Sequence, residues 1–439
     1  MTVRLRVAIV AANTFEYDTR LLRTAAALVG AGHSVTILGL AGPGLPEREQ
    51  LASGAALRRL PLDRRVTSAF RPLPQRARRL LARVLGFDPE ATQLPPGRPH
   101  GLDRLRAPLR RVVEIAAHAR RVGPWADAVV GAAPDADVFH AKALIALPVV
   151  HAAARRTGAR FVYDVADIHT EAARLARMPG GFRALVRRRE AAWMRAAAGL
   201  MAVSDAVARE VARRFAVPEP VVMLNCPPRW RPEDPEPPRS DRLRAALGAA
   251  DGRPLVIYQG GFSVDRGIEE LVAALDEPGL RDRPVAVVLL GYGRLRDPLR
   301  EEAARRPGRL YVLDAVPPGE LLEWTASADV SFVGQPPRTL NQRLNLANKL
   351  FESMMAGVPV IVAQETEHCR LVTAEGLGRC CEVAPSAIAT AIAALLDPPP
   401  EARAALRARV RRAALERYAW EIQQTGLVAL YGRLAETAS

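Results

Sequence analysis

Apolar and polar positions along this chain follow two rhythms that take turns. Short, nearly continuous apolar runs come first, in LRVAIVAA from Leu5 and HSVTILGL from His33. Runs of this kind suit strands covered on both faces. Between them, Asp18 to Gly30 carries apolar residues at helical spacing, and Gly32 stands where that helix should end. After an interruption the alternation resumes. DADVFHAK predicts a strand, Ala143–Thr157 a helix, ARFVYDVADIH a strand with its exit loop, and Phe182–Ala198 a long helix. GLMAVS leads into a further helix that Ser204 can cap and Asp205 favours electrostatically. A second alternating set follows: LVIYQGG, helix Ile268–Leu275, VAVVLLGYG, a helix, LYVLDA, helix Gly319–Ala328, DVSFVG, helix Leu346–Ala356 and PVIVAQ. One helix between successive strands implies a parallel, doubly wound sheet in each half, hence an α/β protein. Two last helical stretches, Glu401–Glu416 and Ala419–Leu434, follow without a strand between them.

The two halves are separated by PPRWRPEDPEPPR, whose prolines preclude regular structure and mark a linker. The expected division is residues 1–235, residues 236–418, and a final helix over 419–439 returning to the first domain. Residues 62–123 break the rhythm of the first domain. They hold two arginine-studded helical stretches, roughly Leu73–Leu85 and Asp103–Val122, around the Pro/Gly-rich LPPGRPHG. Two doubly wound domains in sequence create a cleft between the carboxyl ends of their strands, where such sheets bind ligands.

The formal net charge of +15 is carried almost wholly by arginine, since Lys142 and Lys349 are the only lysines. Fourteen arginines fall between Arg64 and Arg121 against few acids. Three readings fit that segment: a solvated arginine-rich face, an interfacial element contacting anionic lipid, or an acceptor lid or protein interface. Nucleic-acid binding does not fit, because aromatics are only 5% of residues and no basic-aromatic motif is present. No apolar run reaches membrane-spanning length, and the strand pattern starts at Leu5 without a signal-peptide core. A cytoplasmic protein is expected, with peripheral contact at the inner membrane surface as the one variation. Cys226, Cys369, Cys380 and Cys381 match neither a disulfide framework nor zinc-ligand spacing, and are expected to be reduced and buried.

The most informative stretch is NLANKLFESMMAGVPVIV, Asn345 to Val362. A loop enters a helix whose first two turns carry Lys349 and Glu352. Free amides, the helix dipole and the Lys349 charge can hold phosphate there, and Glu352 can accept two hydrogen bonds from a ribose diol. Upstream, YQGGFSVDRGIEEL from Tyr258 ends a strand in Gly260 and Gly261, which let a ligand approach the backbone, and offers Arg266 as a phosphate fork. LLGYGRL, with Gly291, is a third loop at a strand end.

From Asn341 through Val360 the chain closely resembles the donor-binding signature of glycosyltransferase family 4, N-x-x-x-x-x-x-N-K-x-F-E-x-x-x-A-G-x-P-V. The resemblance implies a GT-B fold, with two Rossmann-like domains facing across a cleft. It also implies a retaining, metal-independent glycosyltransferase with no cofactor beyond its nucleotide-sugar donor. Under it Glu352 holds the ribose, Lys349 and the helix amides the diphosphate, and Asn341 and Asn345 face the donor sugar, with Gly291 beside the nucleotide. Arg266 and Lys349 would stabilise the leaving diphosphate. The chain departs from the family at Leu344, where many members have glutamate, at Phe262, where an arginine is usual, and at Ala166, where a histidine is usual. His169 follows three residues after Ala166 and, with Asp167, is a catalytic candidate. Glu16, Asp18, Arg20, His140, Lys142 and Glu171 are candidates for the acceptor side. The acceptor is expected to be a glycan, a lipid-linked intermediate or a natural-product aglycone. The alternatives are a catalytically silent GT-B subunit and a GT-B enzyme of epimerase or pseudo-glycosyl coupling type.

Overall fold

The apolar runs become strands of two separate sheets in the computed structural model. It describes residues 3–62 except 17, short pieces between 76 and 84, and 103–437 except 173–174, 235 and 249–251. The first sheet contains β1 (Arg6–Val10), β2 (Ser34–Leu40), β3 (Arg48–Gln50), β4 (Ala56–Leu60), β5 (Val138–Lys142), β6 (Arg160–Val165), β7 (Gly199–Ala202) and β8 (Val221–Val222). The second contains β9 (Leu255–Gly261), β10 (Ala286–Tyr292), β11 (Leu310–Asp314), β12 (Val330–Val333), β13 (Val360–Ala363) and β14 (Gly378–Cys381).

Strand order is β3-β4-β2-β1-β5-β6-β7-β8 in the first sheet and β11-β10-β9-β12-β13-β14 in the second. All pairings are parallel except β3 with β4, in which β3 is a short exposed strand that the sequence pattern does not announce. Val7 faces Val35 on one side and Val138 on the other, so order reverses at β1/β5. In the second sheet it reverses between β9, paired with β10, and β12. These are the topological switch points where doubly wound sheets open a crevice.

Helices cover both faces of each sheet. In the first domain Phe139, Tyr163 and Trp125 pack on one face, and Leu21, Leu28 and Ile37 on the other. The last helix, Trp420–Glu436, joins this second cluster through Leu427, Leu430 and Tyr431. The preceding helix, Pro400–Arg417, packs instead in the second domain, through Val410, Ala413 and Ala414. The chain therefore crosses between domains twice, and the two crossings are tied: the Trp420 amide donates to the Pro227 carbonyl at 2.9 Å. The buried Arg411 guanidinium donates to the carbonyls of Met355, Trp230 and Arg231 and so pins the linker to the second domain.

Two expectations need correcting. The arginine-rich stretch from Asp103 does not stop near Val122 but runs as one helix to Ala132, where Trp125, Ala126 and Val129 enter the core. The stretch Leu73–Leu85 and the LPPGRPHG loop lie largely outside the described residues. Cys369 and Cys380 are joined as a disulfide, with Cα atoms 5.5 Å apart, because the turn after helix Glu367–Glu375 folds β14 back against it. Cys226 and Cys381 are free and buried. Among the described residues no helix is long and apolar enough to cross a membrane.

Candidate active site

Helix Asn348–Met355 stands at the mouth of the second sheet, on the side of the switch point. Leu350, Phe351, Met354 and Met355 are buried, which fixes its orientation and turns Lys349 and Glu352 together toward the cleft. The residue before it, Ala347, offers no side-chain cap. His368 instead accepts a hydrogen bond from the Ala347 amide at its Nε2, 2.8 Å away. Burial lowers the His368 pKa to about 4, so the ring stays neutral and can keep that acceptor lone pair.

Both carboxylate oxygens of Glu352 are positioned. Oε1 accepts from Asn348 Nδ2 at 2.9 Å, and Oε2 from Gln259 Nε2 at 3.0 Å. Gln259, at the end of β9, is buried and is itself fixed by the Thr325 hydroxyl donating to its Oε1. Burial raises the pKa of Glu352, while Asn348, Arg23, Lys349 and Gln259 oppose that rise. A carboxylate has about four acceptor positions, so two remain for a diol.

Lys349 lies across β9. Its Nζ donates to the Tyr258 hydroxyl at 3.1 Å and sits 4.3 Å from the centre of that ring. Gly260, at φ +120°, is needed for this approach: a Cβ there would stand 3.0 Å from the ammonium. Burial, with Arg266 adding repulsion, lowers the Lys349 pKa to about 7. An anion beside it therefore draws a proton onto the amine and gains a full charge–charge contact. Arg266 is carried on the loop after β9 and donates from Nη1 to Gln335 Oε1 at 3.1 Å. Gly267, at φ +72°, closes that loop so tightly that a Cβ would meet the Gly334 carbonyl at 2.3 Å. Gly291 has a parallel use, since a Cβ there would lie 1.9 Å from the Gly260 carbonyl. Phe262 is buried in the core of this loop, with its amide donating to the Tyr292 carbonyl at 2.6 Å.

These groups line one cavity of about 630 Å³. Gln259, Gly260, Gly261, Arg266, Gly291, Asn348, Lys349 and Glu352 form its second-domain wall, and Arg23 with Thr19 and Leu22 its first-domain wall. Trp230 and the prolines 227 and 228 of the linker close one side.

Asn341 and Asn345 behave differently from their expected role. Both reach across the cleft to Asp167: their Nδ2 atoms donate to Asp167 Oδ1 at 2.7 and 2.9 Å. Asn341 Oδ1 also accepts from the Ile168 amide at 2.8 Å, and Ser204 donates to the Leu344 carbonyl at 2.7 Å. Helix Leu340–Leu344 is thus docked on the first domain, with its asparagines spent on Asp167 rather than pointing into the cavity. His169 Nε2 accepts from the Leu144 amide at 2.9 Å. Burial lowers its pKa, against the opposing Asp167 charge, which leaves a neutral ring protonated at Nδ1.

The acceptor-side candidates separate into two sets. Asp18 caps helix Thr19–Gly30 and receives Lys142 Nζ at 2.6 Å on both oxygens. Glu16 is exposed and accepts from Thr14 at 2.7 Å, and Glu171 pairs with Arg214 at 3.0 Å. These four remain at the strand exits of the first domain. Arg20 and His140 do not face the cleft, a correction to the sequence reading. Arg20 is buried and binds Asp164 through Nε and Nη2, each at 2.9 Å, and the Met223 carbonyl through Nη1. Burial pushes the Asp164 carboxyl up, but Arg20 more than offsets this and holds it below its usual range. His140 is fully buried against Tyr431, 2.9 Å from its hydroxyl, and burial lowers its pKa to about 4. Gln259, Asn348, Tyr258, His368 and Arg23 are site residues that the sequence did not single out. Only Asn348 had a signal there, as the residue before Lys349 in the motif.

Residues 253–398 match the family model described as Glycosyl transferases group 1. That segment contains the whole second-domain wall. The second domain is thus similar to group 1 glycosyltransferases over these residues. No curated protein matches the chain. Solved structures extend the likeness to both domains. Sucrose-phosphate synthase from Thermosynechococcus elongatus superposes with TM-score 0.70 at 17% identity, covering 99% of this chain and 100% of that one. The α,α-trehalose 6-phosphate synthase of Burkholderia multivorans gives 0.65 at 16% identity, covering 100% and 98%. Anabaena HepE, in complex with UDP and glucose, gives 0.59 at 16%, covering 99% of each chain. The glycosyltransferase therefore has the GT-B fold over its full length, and its cavity lies between the two Rossmann-like domains.

Proposed function

We propose that this glycosyltransferase takes its sugar from a nucleoside-diphosphate donor and passes it, with retention and without a metal, to an acceptor hydroxyl. One observation carries the reading: Glu352, with both oxygens oriented, and the two cations Lys349 and Arg266 line the same cavity. That set matches a ribose diol followed by a diphosphate. Anabaena HepE, similar in fold, binds UDP and glucose.

In this reading the bond from the anomeric carbon to the phosphate oxygen breaks as the acceptor oxygen bonds to the same face. The departing phosphate oxygen takes the acceptor proton. Charge grows on the diphosphate, and Lys349 and Arg266 stabilise it from fixed positions. Asp167 acts as a positioning residue by holding Asn341 and Asn345, and the neutral His169 braces the loop at Leu144. Asp18, Lys142, Glu16 and Glu171 border the acceptor side, where a glycan, a lipid-linked intermediate or an aglycone would enter. Peripheral membrane contact through residues 62–123 belongs to a segment mostly outside the described residues.

The test is slow donor hydrolysis in the presence of a chelator, followed by proton NMR. An α-linked donor should release the α-sugar first, at an unchanged rate when EDTA is present. Initial release of the β-sugar would contradict retention, and loss of activity restored by added divalent metal would contradict metal independence.

A further inference from the structure

Arg23 was absent from the sequence-level candidates, yet it occupies the first-domain wall of the donor cavity. It sits on helix Thr19–Gly30, one turn after Asp18. Besides a 3.4 Å hydrogen bond from Nη2 to the Thr19 hydroxyl, three further contacts fix its guanidinium. Nε donates to the Thr19 carbonyl at 3.1 Å, Nη2 donates to Asn225 Oδ1 at 2.7 Å, and the cation stacks 5.5 Å from the centre of the Trp420 ring. None of these partners is anionic. Arg20 on the same helix is matched by Asp164, but Arg23 makes no ion pair with a carboxylate among the described residues. Glu352 acts on it across the cavity.

Asp18 and Glu352 act on Arg23 only from a distance, and a half-buried cation with no carboxylate in direct contact gains most from a ligand anion that reaches it. Its surroundings also give it a mechanical position. Trp420, on which it rests, donates its amide to Pro227, and Pro227, Pro228 and Arg229 line the same cavity. Arg23 is thus anchored at the point where both chain crossings meet.

We propose that Arg23 is a donor-binding residue supplied by the first domain, which meets the diphosphate-bearing ligand from the wall opposite Lys349. The inference rests on the nucleoside-diphosphate reading above. It adds that the ligand is gripped from both domains, beside their two connections. The anion recognised is the diphosphate rather than the nucleoside, because a guanidinium adds most where it meets charge.

The experiment measures binding of UDP, GDP, ADP and dTDP to the full chain by calorimetry. The matching nucleoside of the tightest binder is then measured by ligand-observed NMR. Arg23→Gln should weaken the diphosphate about tenfold or more, the size of one lost charge-assisted hydrogen bond. The nucleoside should change less than about twofold. Arg23→Lys should fall between, and Arg300→Gln, the same charge change on the exposed face beside Asp314, should leave binding unaltered. Equal losses for nucleoside and diphosphate would assign Arg23 a packing role and overturn the inference, as would no loss in Arg23→Gln. If Arg23→Gln does not fold, Arg23→Lys decides by the same ratio. A wild type that binds none of the four diphosphates would remove the donor reading itself. Binding lost in Glu352→Ala but intact in Arg23→Gln would remove only Arg23.

Discussion

Replacing Lys349 with alanine lowers the rate of sugar transfer or donor hydrolysis by about 10²- to 10³-fold, the size expected for one preorganised group facing developing charge. The ammonium has Tyr258 as its hydrogen-bond partner and a ring face beneath it, and among the described residues no carboxylate forms an ion pair with it, Glu352 acting only from a distance. Its full charge becomes available as the diphosphate leaves. Glu352 and its two partners remain in place in the variant, so the nucleotide grip survives and the loss falls mainly on kcat rather than KM. The wild type carries a matching pH signature. The free-enzyme amine has its pKa near 7, and only its protonated form supplies the charge. As pH rises through about 7, kcat/KM should fall, and Lys349→Ala should lack that limb. A loss of less than tenfold, with the alkaline limb kept, would remove Lys349 from the reaction.

The second large effect concerns stability. Asp164→Ala should cost about 3–5 kcal/mol, because it leaves the Arg20 guanidinium buried without its counter-charge. For a domain of this size that corresponds to a drop of roughly 10 °C in melting temperature. The double change Arg20→Met with Asp164→Leu should recover most of the loss, since it removes both charges together. Removing the exposed pair Arg6–Asp137 should change the melting temperature little, because solvent screens it. Differential scanning calorimetry on the four proteins checks the order. A double variant as unstable as Asp164→Ala would show that the pair is needed for more than charge compensation.

The rhythm of strands and helices was legible because both sheets are parallel and covered on both faces, which makes their strands apolar throughout. The exposed strand β3 has no such pattern, and its REQ segment looks like any loop. The donor helix was legible for a related reason. Four apolar residues bury one side of eight, and that leaves Lys349 and Glu352 on the other.

What stayed hidden depends on partners distant in sequence. Arg20 and His140 look like acceptor contacts in the sequence, since a polar residue near a strand exit looks the same whether it faces a cleft or a core. Asp164 lies 144 residues from Arg20, and Tyr431 lies 291 from His140. The docking of Asn341 and Asn345 on Asp167 likewise exists only once two domains meet. Gln259 and His368 were missed because each acts by orienting another group, Glu352 in one case and the entry to its helix in the other. The Cys369–Cys380 bond needed the local fold-back of a strand onto a helix, which cysteine spacing does not encode.

The central claim is that the cavity between the two domains holds a nucleoside diphosphate through Glu352. A thermal-shift panel of UDP, GDP, ADP and dTDP with their common sugars, run on the wild type and on Glu352→Ala, tests it most directly. The account predicts that one nucleotide stabilises the wild type and that the shift disappears in the variant. Equal stabilisation of both proteins would place the nucleotide elsewhere, and no shift with any member of the panel would contradict the donor site altogether.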